Sequence, residues 1–267
     1  MHSNSPQQAT APMSRRMLNK VPELSLYFWM IKILCTTVGE TFADFLNADM
    51  HLGLTNTTYL MGGLLIAALF FQFKFMQYRA GIYWLAVVLL SVVGTLITDN
   101  LTDHFGVSLV TTTVVFAAML AATFIAWYAK ERTLSVHKIN TTRREAFYWT
   151  AILFTFALGT AAGDLVAEHL QVGYLWSAVM FGSLIAVVTV AHLRFRLNGI
   201  LAFWIAYVLT RPLGASIGDY LSQAHADGGL NLGTVVTSAV FLGTILILVI
   251  YLAITKRDVS RAEPIAA

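Results

Sequence analysis

The sequence predicts an all-helical membrane protein with eight spanning helices, and three observations support this prediction. Of the 267 residues, 57% are hydrophobic and only 12% are charged, whereas soluble domains carry about 25% charged residues. Eight segments are apolar over about 20 residues, the length that a helix needs to cross a bilayer. A motif that spans one pair of helices recurs four times along the chain, which indicates an internal repeat.

The eight apolar segments define the predicted helices one by one. They cover approximately residues 24–46, 56–76, 81–102, 107–129, 147–168, 173–193, 199–222 and 234–254. Apolar side chains continue around all faces of the even-numbered segments, as in 242–251, and such helices suit contact with lipid. With eight spans, both chain termini lie on the same side of the membrane.

Each copy of the repeat contains a tryptophan that is followed ten residues later by glycine and fifteen residues later by aspartate. The tryptophans are Trp29, Trp84, Trp149 and Trp204; the glycines are Gly39, Gly94, Gly159 and Gly214; the aspartates are Asp44, Asp99, Asp164 and Asp219. Successive tryptophans are 55, 65 and 55 residues apart, so the extra length lies in the central loop. We predict four parallel two-helix repeats, pseudo-symmetric about the membrane normal through an approximate two-fold axis.

Apart from Lys32 and Arg211 inside predicted helices, the basic residues lie in or next to the two terminal tails and every second loop, while the four opposite loops contain no Lys or Arg. The positive-inside rule therefore predicts that both termini and the central loop lie in the cytoplasm. This distribution explains the net charge of +3 without a nucleic-acid partner. The predicted organisation is a cytoplasmic N-terminal tail (1–22), a first half with repeats 1 and 2 (23–129), a basic cytoplasmic linker (130–146), a second half with repeats 3 and 4 (147–255) and a cytoplasmic C-terminal tail (256–267).

One face of each odd-numbered helix becomes more polar toward the C-terminal end of that helix. In helix 1, Lys32, Glu40 and Asp44 share a face, because residues four apart lie on one side of a helix. Lipid does not tolerate such a face, so we expect the four polar stripes to converge at the centre of the bundle. The candidate ion-binding or transport residues on the stripes are Lys32, Glu40, Asp44, Asp99, Asp103, Asp164, Glu168, Arg211 and Asp219.

The acidic residues of the stripes outnumber the basic ones. Lys32 and Arg211 offset only part of the charge of Glu40 and the four repeated aspartates, so protons, a bound cation or water must make up the difference. Two interpretations stay open: a functional polar cavity, or aspartates that are simply hydrated at the membrane boundary. Arg211 precedes Pro212, which is expected to kink its helix. Its guanidinium could hold an anionic group or pair with Asp219 or Glu40.

The repeated glycines and tryptophans have structural explanations. Four residues after each glycine stands another small residue, in the pairs Gly39/Ala43, Gly94/Thr98, Gly159/Gly163 and Gly214/Gly218. Small residues at this spacing let two helices approach closely, and close packing of the odd-numbered helices would hold the aspartates near one another. The tryptophans are typical of an aromatic belt at the cytoplasmic membrane interface.

Two histidines follow the aspartates in a shared pattern. Asp99-x3-Asp103-His104 and Asp164-x3-Glu168-His169 each place carboxylates one turn apart beside an imidazole. Such groups could ligate a divalent cation such as Mn²⁺, Zn²⁺ or Ni²⁺, or act as a proton relay near neutral pH. They could equally be ordinary solvated residues at the ends of helices.

The first repeat resembles a known family. Val21-Pro22-Glu23 is followed by Leu26-Tyr27-Phe28-Trp29, then by Ile31-Lys32-Ile33-Leu34, Gly39-Glu40-Thr41 and Ala43-Asp44. With the four Trp/Gly/Asp frames, these residues resemble bacterial membrane proteins built from four copies of the DUF347 repeat, a repeat of unknown function. The resemblance covers about residues 20–257. It implies a polytopic bacterial inner-membrane protein with two helices per repeat, and it implies no particular substrate.

These features favour a secondary transporter or exporter of a small cation, a divalent metal or a proton-coupled ion, that uses the intramembrane carboxylates. The alternative is a non-transporting membrane scaffold or sensor that signals through the basic central loop. The chain contains no phosphate loop, no G-x-S-x-G and no H-E-x-x-H motif, so we expect neither an enzyme nor a cofactor. An intramembrane enzyme would need a nucleophile–base pair, for which Ser91 and Thr95 near Asp99 offer the nearest groups. The expected partners are the lipid bilayer and a small cation or proton; the oligomeric state stays open.

Overall fold

The computed structural model describes residues 19–259, and this part of the chain forms eight long helices with no β-strand. The helices are α1 (Leu26–Asp44), α2 (Leu54–Lys74), α3 (Ala80–Asp99), α4 (Leu109–Glu131), α5 (Thr142–Asp164), α6 (Tyr174–Phe195), α7 (Gly199–Ser222) and α8 (Thr234–Thr255). Seven of them, all but α1, are long and apolar enough to cross a membrane. The predicted all-helical, multi-pass architecture is confirmed. Residues 1–18 and 260–267, which hold most of the two predicted tails, lie outside the described range.

Helix α5 begins about one turn earlier than the apolar pattern predicts. The Thr141 side chain accepts a hydrogen bond from the backbone N–H of Arg144, and Glu145 lies in the first turn. A threonine N-cap and an acidic residue near a helix N-terminus both stabilise the helix start. The predicted basic linker (130–146) is therefore partly helical.

Three of the helices continue beyond the repeated aspartate as a short π-helix. These segments are Phe45–Asp49, Asn100–His104 and Leu165–His169. Helix α7 has no such extension; it ends at Ser222, and a 3₁₀ turn at His225–Asp227 follows. A π-helix closes its hydrogen bonds over five residues instead of four, so the four-residue face of each stripe does not continue past the aspartate.

The helices form two layers. The inner helices α1, α3, α5 and α7 contact one another in a closed ring, in which α7 packs against α1. Each outer helix packs mainly against the inner helix of the following repeat: α2 on α3, α4 on α5, α6 on α7 and α8 back on α1. In the membrane-spanning windows, 11–22% of outer-helix residues are buried, against 56–72% in α3, α5 and α7. The even-numbered helices are therefore the exposed outer layer, as their continuous apolar faces predict.

The repeated glycines lie where adjacent inner helices come closest. Each glycine faces the side chain that stands seven residues after the tryptophan of the next inner helix. The pairs are Gly39 with Ser91, Gly94 with Phe156, Gly159 with Arg211 and Gly214 with Thr36. A methyl group added at any of these glycines would lie 1.9–2.6 Å from the nearest atom of its partner. The contact therefore recurs at each of the four interfaces of the inner ring.

The repeated tryptophans point into the protein. Trp84, Trp149 and Trp204 are at most 4% exposed, and they pack edge-on or tilted against neighbouring aromatic rings, including Tyr148. These three side chains therefore face the interior of the protein, and their position at the level of the cytoplasmic interface stays a prediction. A residue seven positions before a stripe residue lies two turns away on the same helix face, so the tryptophan is turned inward with the stripe. Trp29 is partly exposed.

The inner bundle has two distinct ends. The acidic end is the end at which the repeated aspartates lie, and the basic end is the end with the Lys- and Arg-containing segments. At the basic end, Lys20 is buried and forms an ion pair of 2.5 Å with Glu145. Gln72 donates a further hydrogen bond of 3.2 Å to the same carboxylate. From the sequence alone Lys20 is one of the basic tail residues that indicate topology, because nothing local links it to a partner 125 positions away.

Candidate ion-binding site

Five carboxylates gather at the acidic end of the inner ring, and we call them the acidic cluster: Glu40, Asp44, Asp99, Asp164 and Asp219. Side-chain oxygens of Glu40, Asp164 and Asp219 lie within 4.8 Å of one another. These three residues come from α1, α5 and α7, so the cluster exists only when the inner ring is closed. Asp99 occupies the equivalent repeat position at the end of α3, and Asp44 occupies it at the end of α1. The structure thus brings together acidic groups of all four stripes.

Arg211 lies directly beneath the acidic cluster and is completely buried. Its Nη2 donates to Glu40 Oε2 at 2.8 Å and to the Thr160 hydroxyl at 2.7 Å, and it also contacts the Thr95 hydroxyl. Its Nη1 donates to the Thr36 carbonyl at 3.1 Å. The guanidinium therefore joins α7 to the three other inner helices. Of the two acidic partners that the sequence allowed, Asp219 and Glu40, Arg211 pairs with Glu40.

The three side chains that meet Arg211 Nη2 occupy one repeat position. Glu40, Thr95 and Thr160 each stand eleven residues after the tryptophan of their repeat, and the fourth residue at this position is Ala215. The small Ala215 side chain, one turn from Arg211 on the same helix, leaves space for the guanidinium to cross the bundle. Helix α7 thus departs from the repeat at two positions, Arg211 and Ala215. Together these residues place one guanidinium at the centre of the ring of side chains that occupy this repeat position.

Lys32 lies further toward the basic end, and it does not neutralise the acidic cluster. Its ammonium nitrogen sits 4.3 Å from the ring centroids of both Phe156 and Tyr207. The nitrogen is buried and has no hydrogen-bond partner among the described residues. The two aromatic faces lie at the distance typical of cation–π contacts. Arg211 is consequently the one basic side chain that forms an ion pair with the acidic cluster within residues 19–259.

The acidic cluster carries more negative charge than its surroundings compensate. Five carboxylates face one paired guanidinium, and carboxylates this close to one another cannot all remain ionised without a proton or a cation between them. Glu40 and Asp219 are each 6% exposed, while Asp44, Asp99 and Asp164 are half-buried. The acidic cluster is therefore largely enclosed by the helices, and three of its members keep part of their surface exposed.

The candidate residues beyond the aspartates are more exposed than the acidic cluster. Asp103, His104, Glu168 and His169 are all exposed. Glu168 accepts a hydrogen bond of 3.1 Å from Tyr174. The π-helical turns displace these residues from the stripe, which the four-residue spacing did not reveal. Within the described part of the chain, the group of three that could hold a metal ion is Glu40, Asp164 and Asp219, and it contains no histidine.

Comparison with protein-family models identifies the repeat. The model described as Repeat of Unknown Function (DUF347) matches four consecutive stretches, residues 27–78, 82–133, 147–198 and 202–258. Each stretch contains one inner and one outer helix. Searches of curated proteins and of solved structures found no significant match. The matched stretches cover most of the chain, which belongs to the family of membrane proteins built from four DUF347 repeats.

Proposed function

We propose that this protein is a secondary transporter or exporter of a small cation, and that the acidic cluster is its binding site. The observation that carries the proposal is the approach of Glu40, Asp164 and Asp219 oxygens to within 4.8 Å of one another. Three carboxylate oxygens suit a hard divalent cation such as Mg²⁺ or Mn²⁺. Intramembrane carboxylates also exchange protons, which makes a proton the natural counter-substrate.

Access to this site is asymmetric. On the acidic side, the half-buried aspartates lead from the surface to the cluster. On the basic side, buried Arg211, then Lys32 and then the aromatic residues around Trp84 occupy the interior. Transport would require Arg211 to move aside. Pro212 follows it inside α7, and a proline in a helix removes one backbone hydrogen bond and so provides a weak point for bending.

The proposed architecture places the four parallel repeats around an axis along the membrane normal. The glycine contacts that recur at all four inner interfaces support this arrangement. The division into halves at 23–129 and 147–255 remains part of the proposal. The absence of Lys and Arg from the four loops at the acidic end supports an orientation with the basic end, and both chain termini, in the cytoplasm. The inner-membrane location is part of the same proposal. The proposal assigns the chain no enzymatic reaction.

Reconstitution into liposomes tests the proposed transport. We expect Mn²⁺ uptake driven by a proton gradient in the wild type, and uptake at the level of empty liposomes in an Asp164→Asn/Asp219→Asn variant. A matched control, Asp103→Asn/Glu168→Gln, removes the same number of carboxylates from exposed positions and should retain wild-type flux. Wild-type flux in both variants would exclude the acidic cluster from the mechanism and leave the scaffold or sensor alternative.

A further inference from the structure

A second site is present at the basic end, where the start of α3 faces the end of α8. A cavity of about 600 Å³ lies there, and its lining includes Tyr78, Arg79, Gly81, Lys256 and Asp258. We propose that this basic-end cavity binds the headgroup of a phospholipid that carries both a phosphate and a primary amine, as phosphatidylethanolamine does. The proposal is independent of what the acidic cluster binds.

The phosphate-binding side of the cavity combines two basic residues with a helix N-terminus. Arg79 and Lys256 line the cavity from opposite helices. Arg79 is also the N-cap residue of α3 and makes no capping hydrogen bond with its side chain. The other inner helices are capped by side chains, namely those of Ser25, Thr141 and Asn198. Free N–H groups at a helix start attract anions, and basic pockets between membrane helices bind lipid phosphates.

The amine-binding side depends on Asp258. This residue is 2% exposed, and its Oδ2 accepts a hydrogen bond of 2.5 Å from the Tyr78 hydroxyl. Its Oδ1 has no hydrogen-bond partner in the described part of the chain. Burial raises the pKa of the Asp258 carboxyl, so Tyr78 alone does not compensate the ionised form. A lipid ammonium would supply the missing donor and the opposite charge, because an unpaired buried oxygen is costly.

The surfaces that continue from the cavity suit the acyl chains of such a lipid. Leu85 stands one turn beyond Gly81 on α3 and is 49% exposed. Ile250 and Leu246 on α8 are 49% and 60% exposed. The headgroup would therefore occupy the polar cavity while the chains follow apolar side chains along the two helices.

A different groove at the same end provides a control. It lies between α4 and α7, has a volume of about 540 Å³ and contains Arg132 as its single charged residue. Trp204 and Leu201 contribute to its apolar lining. Since this groove offers no acidic group for an amine, Arg132→Gln removes one basic residue at the same end without touching the proposed headgroup site.

Lipid binding to the full chain tests the proposal. The purified protein, delipidated in detergent, would be titrated with phosphatidylethanolamine, phosphatidylglycerol and phosphatidylcholine, and bound lipid would be counted by native mass spectrometry. We expect phosphatidylethanolamine to bind most tightly. Arg79→Gln and Lys256→Gln should each weaken it about fivefold, the contribution of one basic residue near a lipid headgroup. Arg132→Gln should leave the affinity unchanged.

Asp258 variants decide whether the amine is recognised. Asp258→Asn should bind phosphatidylethanolamine and phosphatidylglycerol equally. Tyr78→Phe keeps the carboxylate and should keep the preference, which guards against a general effect of disturbing this corner of the fold. Equal binding of all three lipids by the wild type, or tighter binding of phosphatidylglycerol, would overturn the proposal, as would an unchanged preference in a folded Asp258→Asn protein.

Discussion

The acidic and basic ends of the inner bundle both bury charge, but they differ in how that charge is compensated. At the basic end, Lys20 pairs with Glu145, and Glu131 is within 2.7 Å of both Arg143 and Arg144. At the acidic end, five carboxylates share the guanidinium of Arg211. A buried charge with its own partner serves the structure, whereas a surplus of one sign leaves a place for a mobile ion. The candidate site is therefore identified by charge that lacks a partner, and not by the total number of charged residues.

The largest expected effect tests the pairing at the basic end. Lys20→Met leaves the buried Glu145 carboxylate without its cation, which should lower the free energy of unfolding by about 3–5 kcal/mol. Chemical denaturation of the purified protein in detergent measures this change. The double variant Lys20→Met/Glu145→Gln should recover much of the loss. A single variant as stable as the wild type would mean that the two ends do not differ in this way.

The next effect tests the surplus charge at the acidic end. At 100 times its dissociation constant, a divalent cation that binds only the folded protein should add about 2.7 kcal/mol to the unfolding free energy. Thermal unfolding with and without Mn²⁺ or Mg²⁺ detects this gain. Asp164→Asn/Asp219→Asn should abolish it, and Lys20→Met should not. Stabilisation that persists in the double asparagine variant would place the ion elsewhere.

A third, smaller effect concerns the close contact that positions Arg211. Gly159→Ala would place a methyl group 2.3 Å from Arg211 Cγ, and overpacking of this kind costs about 1–3 kcal/mol. We expect the affinity of this variant for the divalent cation to change as well, because Arg211 must shift. Gly63→Ala is the matched control: nothing lies within 4 Å of its added methyl group. Its stability should stay within about 1 kcal/mol of the wild type.

The smallest effect separates exposed acids from the acidic cluster. Asp103→Asn and Glu168→Gln remove charges at exposed positions, and such substitutions usually change stability by no more than about 0.5 kcal/mol. Thermal unfolding with and without Mn²⁺ should therefore match the wild type for both. If either variant lost the stabilisation by Mn²⁺, the boundary of the acidic cluster would have to be extended to the π-helical turns.

The eight helices and the fourfold repeat could be predicted because their signals are local. Apolar length identifies a spanning helix, and a motif such as Trp29-x9-Gly39-x4-Asp44 identifies a repeat without knowledge of packing. The presence of a common acidic centre also followed from the exclusion of charge from lipid. The same argument predicts Glu40, Asp164 and Asp219 as candidate residues from the sequence alone.

Other features depend on how the helices are rotated and joined, which spacing alone does not determine. The π-helical turns expose Asp103 and Glu168, although the four-residue period placed them on the stripe. The inward direction of Trp84 requires knowledge of which face meets the next helix. The pair formed by Lys20 and Glu145 joins distant parts of the chain, although Glu145 stands four residues before Trp149 and so continues the stripe backward.

The offset packing of the outer helices sets the order in which the molecule can be completed. Helix α1 is the first of the eight described helices in the chain, but its outer neighbour is α8, the last of them. The polar face around Glu40 therefore lacks its full set of neighbours until the hairpin of α7 and α8 has been inserted. A chain that stops before α8 leaves α1 without its outer neighbour, so the two layers close only when the first and the last of the described helices meet.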